Sequence, residues 1–335
     1  GWRCFGIRDG YNGLLFPEQF PDGGLVPLTR ARVEGITSLG GTILGTTNRG
    51  NPLRFPVRQP DGTTIEVDRT DELVRSFALH EIDALVSIGG DGSLAIANVL
   101  AKKGLRVVGV PKTIDNDLDR TVITFGFDTA RSFATEAIDR LHSTAEAHRR
   151  IMVVEVMGRW CGYLAVLSGL ATGAERVFTH EEGISMSALE RDVASLVEGF
   201  RKGKRLALMI RNEKASPVFT TDVLVRLFEA EGHGAFDARQ AILGHLQQGG
   251  DPTPFDRILA TRFAARAVEV LLQESAADEE AAVFLGVQAG RLTAFPLAVF
   301  PSMVEAEFER AKDPWWRPVE SVVRLLGQPG PSGKS

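Results

Sequence analysis

The chain contains 335 residues, of which 44% are hydrophobic and 24% charged, and its formal net charge is −5. Such mild acidity argues against a nucleic-acid partner, because binding to phosphate backbones requires a basic surface. No apolar run approaches the ~18 residues of a membrane span, and there are only two cysteines, which favours a reduced, cytoplasmic protein. The length suits about two domains.

Short β-branched runs alternate with amphipathic segments along the chain, which predicts a parallel sheet covered by helices and hence a doubly wound α/β protein. The predicted strands, in chain order, are 2–7, 84–88, 106–110, 150–157, 176–179, 205–210, 238–243 and 282–287. The predicted helices are 29–39, 71–80, 93–102, 128–146, 162–172, 187–202, 221–231 and 254–274. A loop or ribbon is predicted over 48–62, and a loose tail over 327–335.

The segment 84–117 is the most informative, because two of its predicted strands each run into a polar loop that contains carboxylates. The first loop reads GGDGS at 89–93 and precedes a helix. Glycines allow the backbone to approach a polyphosphate, and a helix N-terminus offers unpaired N–H groups. The second loop adds Asp115 and Asp117 after Pro111. Together the loops predict a phosphate site, a metal site and a base in one cleft.

Four blocks stand in order along the chain: GGDGS at 89–93, PKTIDND at 111–117, VVEVMGRWCGY at 153–163 and LGHLQQGGDPTPFDR at 243–257. In this order they resemble the 6-phosphofructokinase family over nearly the whole chain. Lipid kinases and NAD kinase carry a loop similar to GGDGS, whereas TIDND followed by MGR and LGH-x-Q-x-GG is specific to phosphofructokinases. A dinucleotide-binding dehydrogenase is disfavoured, because no G-x-G-x-x-G opens a helix after a strand.

The resemblance implies two doubly wound, Rossmann-like domains of the phosphofructokinase fold. A phosphoryl-donor domain is expected at 1–126 plus 248–300, and a fructose 6-phosphate domain at 127–247. Residues 301–335 are expected to wrap back over the surface, anchored by Trp315 and Trp316, and to end in the loose tail.

The activity that the resemblance implies is transfer of a phosphoryl group from MgATP to the 1-hydroxyl of fructose 6-phosphate, the step of glycolysis that gives fructose 1,6-bisphosphate. Phosphoryl transfer depends mainly on positioning and charge stabilisation. By resemblance, Asp115 is the general base, Arg159 stabilises the transferring group and Thr113 contacts the sugar. From spacing alone, Asp115 could instead cap a helix and Arg159 could form a surface ion pair.

The resemblance also assigns binding residues. Arg150 and Arg239 match arginines that grip the 6-phosphate in a neighbouring subunit's site, which implies self-association into a dimer or tetramer. The substrate contacts implied are Thr113, Ile114, Asp115, Arg150, Met157, Gly158, Arg159, Glu213, Arg239, His245 and Gln248. The donor contacts implied are Asn48, Arg49, Gly90, Asp91, Gly92, Ser93 and Lys112. The Mg²⁺ ligands implied are Asp91 and Asp117, since a hard cation prefers oxygen.

Two positions bear on the phosphoryl donor, which is ATP in one part of the family and pyrophosphate in another. Gly92 is the ATP-type residue, because an aspartate there would crowd and repel the α-phosphate of a nucleotide. Lys112 resembles the pyrophosphate type. The long side chain of a lysine can fold away from a bound nucleotide, whereas an aspartate at position 92 would stay close to the α-phosphate. ATP is therefore the favoured donor, with pyrophosphate as the alternative.

The chain departs from the family pattern in several places. Relatives carry a strand and a glycine loop ahead of the position of Gly1, so the chain is expected to begin inside a domain. Gln248 stands where an arginine usually contacts the 6-phosphate, and Asn48 where an arginine bridges the ATP phosphates. These departures keep open a third interpretation, an inactive sugar-phosphate-binding or regulatory homologue. Retention of Asp115 and Arg159 counts against it.

The effector site of the family is only partly matched. Lys202, Lys204 and Glu175 correspond to residues of that site, while His142 replaces one of its arginines. Allosteric control by ADP or phosphoenolpyruvate is therefore not expected to follow the family pattern.

Overall fold

The computed structural model describes residues 1–274 and 282–326, so the tail predicted over 327–335 lies outside the described residues. The strands are β1 (Phe5–Ile7), β2 (Leu25–Pro27), β3 (Phe55–Arg58), β4 (Thr64–Val67), β5 (Ala84–Gly89), β6 (Arg106–Thr113), β7 (Phe125–Gly126), β8 (Arg150–Val156), β9 (Arg176–Phe178), β10 (Leu206–Asn212), β11 (Asp237–Ile242), β12 (Val283–Gln288), β13 (Arg291–Pro296), β14 (Val304–Glu305) and β15 (Arg310–Ala311).

The α-helices are α1 (Asn12–Leu15), α2 (Arg30–Val33), α3 (Thr70–Leu79), α4 (Asp91–Lys102), α5 (Phe127–His148), α6 (Tyr163–Thr172), α7 (Met186–Arg201), α8 (Thr221–Glu231), α9 (Pro254–Glu274), α10 (Phe300–Met303) and α11 (Arg317–Leu326). Short 3₁₀ turns occur at Pro17–Gln19, Ile36–Ser38, Gly244–Gln248 and Leu297–Val299. In the part of the chain that the structure describes, no helix is both long and apolar enough to cross a membrane.

The chain forms two compact units. The first contains residues 1–112 and 250–303, and the second contains residues 113–249 together with the segment that starts at Val304. The sequence analysis had placed the first boundary after residue 126 and had set the C-terminal segment apart from both domains. In the structure, residues 113–126 and 304–326 belong to the second unit.

The sheet of the first unit has the strand order β13-β12-β6-β5. β5, β6 and β12 are parallel, and β13 pairs with β12 in the antiparallel direction. The β-branched run of β6 places Val107, Val108 and Val110 in the core, as expected for a parallel strand covered on both faces. Helix α4 connects β5 to β6 and buries Leu94 and Leu100.

The sheet of the second unit is fully parallel, with the order β11-β8-β10-β9. Side chains along β8 alternate between two cores because successive residues of a strand point to opposite faces. Met152, Val154 and Val156 join a core with α5 and α6. Ile151 and Val153 join a second core with α7 and α8. Helices therefore cover both faces of this sheet, and the predicted doubly wound α/β architecture is confirmed.

The C-terminal segment packs on the second unit through Trp316. This side chain is 1% exposed and its ring centroid lies 5.5 Å from that of Tyr163. Trp315 also contacts the Tyr163 ring, at 5.3 Å, but remains 47% exposed. Of the predicted pair, Trp316 is the buried anchor.

The single helix predicted over 29–39 is wrong. The structure has the short α2 and a 3₁₀ turn, separated by Gly35 at φ 80°. That left-handed backbone conformation interrupts helical hydrogen bonding, and glycine adopts it without a steric penalty. The loop or ribbon predicted over 48–62 contains β3, whose antiparallel partner β4 follows it at Thr64–Val67.

Candidate active site

The glycine loop of the first unit lies between β5 and α4, as the sequence predicted. A Cβ atom at Gly89 would lie 2.1 Å from Oγ of Ser93, so only glycine permits this close approach of strand and helix. Asp91 is the first residue of α4. A Cβ atom at Gly92 would meet nothing within 4 Å. The backbone at the N-terminus of a 12-residue helix is therefore accessible beside Gly92.

The other residues of the first unit that were predicted to contact the donor are exposed. They are Asn48, Arg49 and Lys112. The backbone N–H of Arg49 donates to the Thr47 hydroxyl at 3.0 Å, and that hydroxyl donates to the Arg49 carbonyl at 2.9 Å. This local turn fixes the backbone and leaves the Arg49 side chain in solvent.

The loop between β6 and β7, residues 114–124, carries Asp115 and Asp117 and is called here the carboxylate loop. Its own polar side chains hold its conformation. Asn116 has a left-handed backbone, φ 52°, which asparagine tolerates better than most residues. Its side-chain amide donates to the Val122 carbonyl at 3.1 Å and accepts from the Thr124 N–H at 2.7 Å. The Thr113 hydroxyl accepts from the Asp115 N–H at 3.1 Å. Asp115 and Asp117, 8% and 5% exposed, therefore lie on a fixed loop.

The loop that carries Arg159 is anchored through its backbone. Gly158 has φ 126°, and a Cβ atom there would lie 2.5 Å from the Cys161 carbonyl oxygen. Arg159 itself has φ 49°, and its N–H donates to Oε1 of Glu213 at 2.8 Å. The N–H of Met157 donates to Oε1 of Gln247, also at 2.8 Å. The exposed Arg159 side chain thus projects from a backbone held on both sides.

Glu213 is held in turn by a buried arginine. Arg211 is 2% exposed and its Nη1 donates to the Glu155 carboxylate at 2.7 Å and to the Glu213 carbonyl at 3.1 Å. Burial lowers the pKa of the Arg211 guanidinium, and the Glu155 carboxylate opposes this shift. The ion pair fixes the backbone from which the Glu213 side chain reaches the Arg159 loop.

The carboxylate loop and the Arg159 loop lie side by side in the second unit. Burial raises the pKa of the Cys161 thiol well above its usual range, and the negative charges of Glu181, Asp117 and Asp115 add to the effect. A charge influences a pKa in this way only from nearby. The geometry agrees, since Ala311 donates to the Asp117 carbonyl at 2.8 Å and its neighbour Arg310 donates to the Trp160 carbonyl at 2.7 Å. The two loops therefore lie close together.

Two predicted arginines of the second unit lie away from this group. Arg150 opens β8 while Arg159 follows its far end, so the two are separated by roughly the strand length, about 20 Å. Arg239 lies near the amino end of the neighbouring β11 and faces Asp237 and Glu229 at 3.5 and 3.6 Å. His245 and Gln248 are exposed on the 3₁₀ turn Gly244–Gln248. Ile114 packs against the core next to the carboxylate loop.

Several residues that position the site were missed by the sequence analysis. They are Asn116, Thr124, Asn212, Gln247 and Arg211. Asn116 and Gln247 stand inside quoted motifs, so their motif membership was the available signal. Thr124 acts within its own loop, whereas Arg211 and Asn212 contact residues 56 and 55 positions away in the chain.

Comparisons with known proteins identify the family. Residues 1–271 match the family described as phosphofructokinase. The ATP-dependent 6-phosphofructokinase of Chloroflexus aurantiacus is 41% identical over 283 residues, which cover 80% of this chain and 75% of the relative. The ATP-dependent 6-phosphofructokinase of Haemophilus ducreyi is 41% identical over 274 residues, which cover 82% of this chain and 76% of the relative.

Two solved structures are also similar. Phosphofructokinase from Saccharomyces cerevisiae matches 98% of this chain with a TM-score of 0.87 and 26% identity. Pichia pastoris phosphofructokinase in the T-state matches 97% with a TM-score of 0.84 and 29% identity. The chain spans 43% and 37% of the lengths of these two proteins. On the family match and the two relatives, this chain belongs to the phosphofructokinase family.

Proposed function

We propose that this chain is an ATP-dependent 6-phosphofructokinase, which transfers a phosphoryl group to the 1-hydroxyl of fructose 6-phosphate in cytoplasmic glycolysis. The observation that carries the proposal is that the hairpin β14–β15 bonds both the loop of the buried Asp115 and the loop of Arg159 in the second unit. The names of relatives about 40% identical support the choice of reaction and donor.

In this proposal the second unit binds the sugar phosphate and supplies the chemical groups. Asp115 accepts the proton of the 1-hydroxyl, and the Thr113 hydroxyl, already bonded to the Asp115 N–H, orients the loop against the sugar. Arg159 stabilises the charge on the transferring phosphoryl group. Sugar contacts are proposed from Ile114, Met157, Gly158, Glu213, His245 and Gln248.

The first unit is proposed to bind the donor. The phosphates would meet the backbone of Gly90, Gly92 and Ser93 at the N-terminus of α4, where N–H groups and the helix dipole favour anions. Asn48, Arg49 and Lys112 add polar or cationic groups. The open space beside Gly92 supports the choice of ATP, since an α-phosphate needs room there.

Magnesium is proposed to be held by Asp91 and Asp117. Within residues 1–274 and 282–326 there is no group of three or more His, Cys, Asp or Glu side chains that could hold a metal alone. Mg²⁺ bound with phosphates commonly uses only one or two carboxylates and keeps water ligands, so two aspartates fit its chemistry. When bound, it neutralises charge on the donor phosphates.

Self-association is proposed to complete the site. Arg150 and Arg239 lie near the amino ends of β8 and β11, away from the Arg159 loop of the same subunit. The guanidinium group of each arginine presents N–H donors in a fixed planar arrangement that suits a phosphate. In a dimer or tetramer, these arginines would bind the 6-phosphate of a substrate in the neighbouring subunit.

The test of the proposed function is formation of fructose 1,6-bisphosphate with Mg²⁺, comparing ATP with pyrophosphate on one preparation. Product with ATP and little with pyrophosphate is expected. Turnover with pyrophosphate alone would reverse the donor assignment. No product with either donor, while fructose 6-phosphate still raises the thermal midpoint, would favour the inactive homologue.

A substitution at Gly92 tests the donor assignment directly. Gly92→Asp is expected to lower kcat/KM for ATP by about 10- to 100-fold, since a carboxylate near the α-phosphate costs one to a few kcal/mol. Folding should be unaffected, because the side chain enters open space in the first turn of α4, where acidic residues are favourable.

Gly92→Ala is the matched control, because it adds bulk without charge. Steady-state kinetics with ATP and with pyrophosphate measure the result. Equal kcat/KM for ATP in the aspartate variant and the wild type would contradict the assignment of Gly92 to the donor site.

A further inference from the structure

A short hairpin near the C-terminus contacts both the carboxylate loop and the Arg159 loop of the second unit. It consists of β14 and β15, paired as Val304 with Ala311 and Glu305 with Arg310, and is called here the strap. The Ala311 N–H donates to the Asp117 carbonyl at 2.8 Å. The neighbouring Arg310 donates from Nη1 to the Trp160 carbonyl at 2.7 Å. Two consecutive residues thus bond the carboxylate loop and the Arg159 loop.

Arg310 is held in place from several directions. Its side chain is only 14% exposed, and its Nε donates to the Glu305 carboxylate across the hairpin at 2.8 Å. Nη1 also lies 2.9 Å from Nδ1 of His180 and 3.5 Å from Oε1 of Glu181. Burial, and then the charge of Arg310, lower the pKa of His180, which is consistent with a neutral ring that accepts this hydrogen bond.

Glu181 connects the same arginine to the far end of the Arg159 loop. Its side chain is 2% exposed, and both carboxylate oxygens accept the Gly162 N–H at 3.1 Å. A buried carboxylate requires a compensating charge, and Arg310 lies within ion-pair distance of Glu181. Loss of the Arg310 guanidinium would therefore disturb two anchors of the loop, the Trp160 carbonyl and the Gly162 N–H.

The backbone of Arg159 needs such anchors. A non-glycine residue at φ 49° is held in a sparsely populated conformation, which persists only when its surroundings impose it. Without the bond to Trp160, the peptide that follows Arg159 can rotate toward ordinary angles. The direction in which the Arg159 side chain projects would then change.

We propose that Arg310 is a positioning residue of the reaction, which acts through the strap to keep the Arg159 loop in register with the Asp115–Asp117 loop. The proposal rests on the proposed function for its kinetic consequence, while its structural part stands on the contacts above. Arg310 itself is not assigned any contact with substrate.

The kinetic test compares Arg310→Ala with Arg324→Ala, which removes the same charge from the same segment but breaks a pair with Glu182. Arg310→Ala is expected to lower kcat about 10- to 100-fold, as small misplacements of catalytic groups do, with a smaller change in KM. Arg310→Lys should recover part of kcat by restoring one donor. Arg324→Ala should retain kcat near the wild-type value.

A double substitution separates positioning from general destabilisation. If Arg310 acts through Arg159, the double variant with alanine at both positions should have a kcat no lower than that of Arg159→Ala alone. Fully additive losses would overturn the positioning role. So would equal losses of kcat in Arg310→Ala and Arg324→Ala.

Amide hydrogen exchange provides a readout without turnover. Exchange at residues 158–162 should accelerate at least about tenfold in Arg310→Ala and remain unchanged in Arg324→Ala. Unchanged exchange in both would overturn the strap as an anchor of the loop. A wild-type protein that makes no product would refute the proposed function alone, because the exchange experiment still decides whether the strap holds the loop.

Discussion

Replacing Asp115 with asparagine is expected to lower kcat by about 10²- to 10⁴-fold, the range in which removal of a general base usually falls. The amide cannot accept the proton of the 1-hydroxyl, so the nucleophile stays protonated during phosphoryl transfer. The size and shape of the side chain are preserved. The backbone N–H of this residue donates to the Thr113 hydroxyl, and that contact survives the change.

The measurement is kcat and KM for fructose 6-phosphate with saturating MgATP, together with the thermal midpoint. Asp119→Asn is a suitable control, because it makes the same chemical change on the same loop, at a residue not assigned to the site. KM should change much less than kcat in Asp115→Asn. A kcat within threefold of the wild-type value would exclude Asp115 as the base.

Replacing Arg159 with alanine is expected to lower kcat by about 10³-fold, since it removes a positive charge from the transferring phosphoryl group. The loop should keep its conformation, because the bond to Glu213 is made by the backbone N–H of residue 159. Alanine and arginine both tolerate φ 49° poorly, so the backbone strain does not change.

Arg159→Lys separates charge from geometry in this experiment. Lysine keeps the charge but lacks the planar fork of donors, so activity between the alanine variant and the wild type is expected. Single-turnover rates with MgATP, measured at saturating sugar phosphate, give the chemical step directly. Wild-type rates in the alanine variant would remove Arg159 from the mechanism.

The architecture of the second unit could be predicted because its signals are local. Its central strands, β8 and β10, are short β-branched or aliphatic runs, and the alternation of side chains along β8 follows from strand geometry alone. The glycine loop at 89–93 was predictable for the same reason, since strand, glycines and helix follow one another directly.

The anchors of the site were not predictable from sequence, because they act over long separations. Arg310 and Trp160 are 150 positions apart, and Met157 and Gln247 are 90 apart. Arg310 lies outside the quoted motifs, and although Gln247 lies inside one of them, its position does not reveal that Met157 is its partner. The helix predicted over 29–39 failed for a different reason, since apolar periodicity does not reveal that Gly35 adopts a left-handed conformation.

The alternation along β8 also limits how this chain can change during evolution. Arg150 opens the strand and the Arg159 loop follows it, so the strand sets the distance between them. Inserting or deleting one residue would exchange the side chains that face the two helical layers and would displace one arginine relative to the other. Substitutions within β8 can be accepted one at a time, whereas a change in its length requires compensating changes in both layers and at both ends.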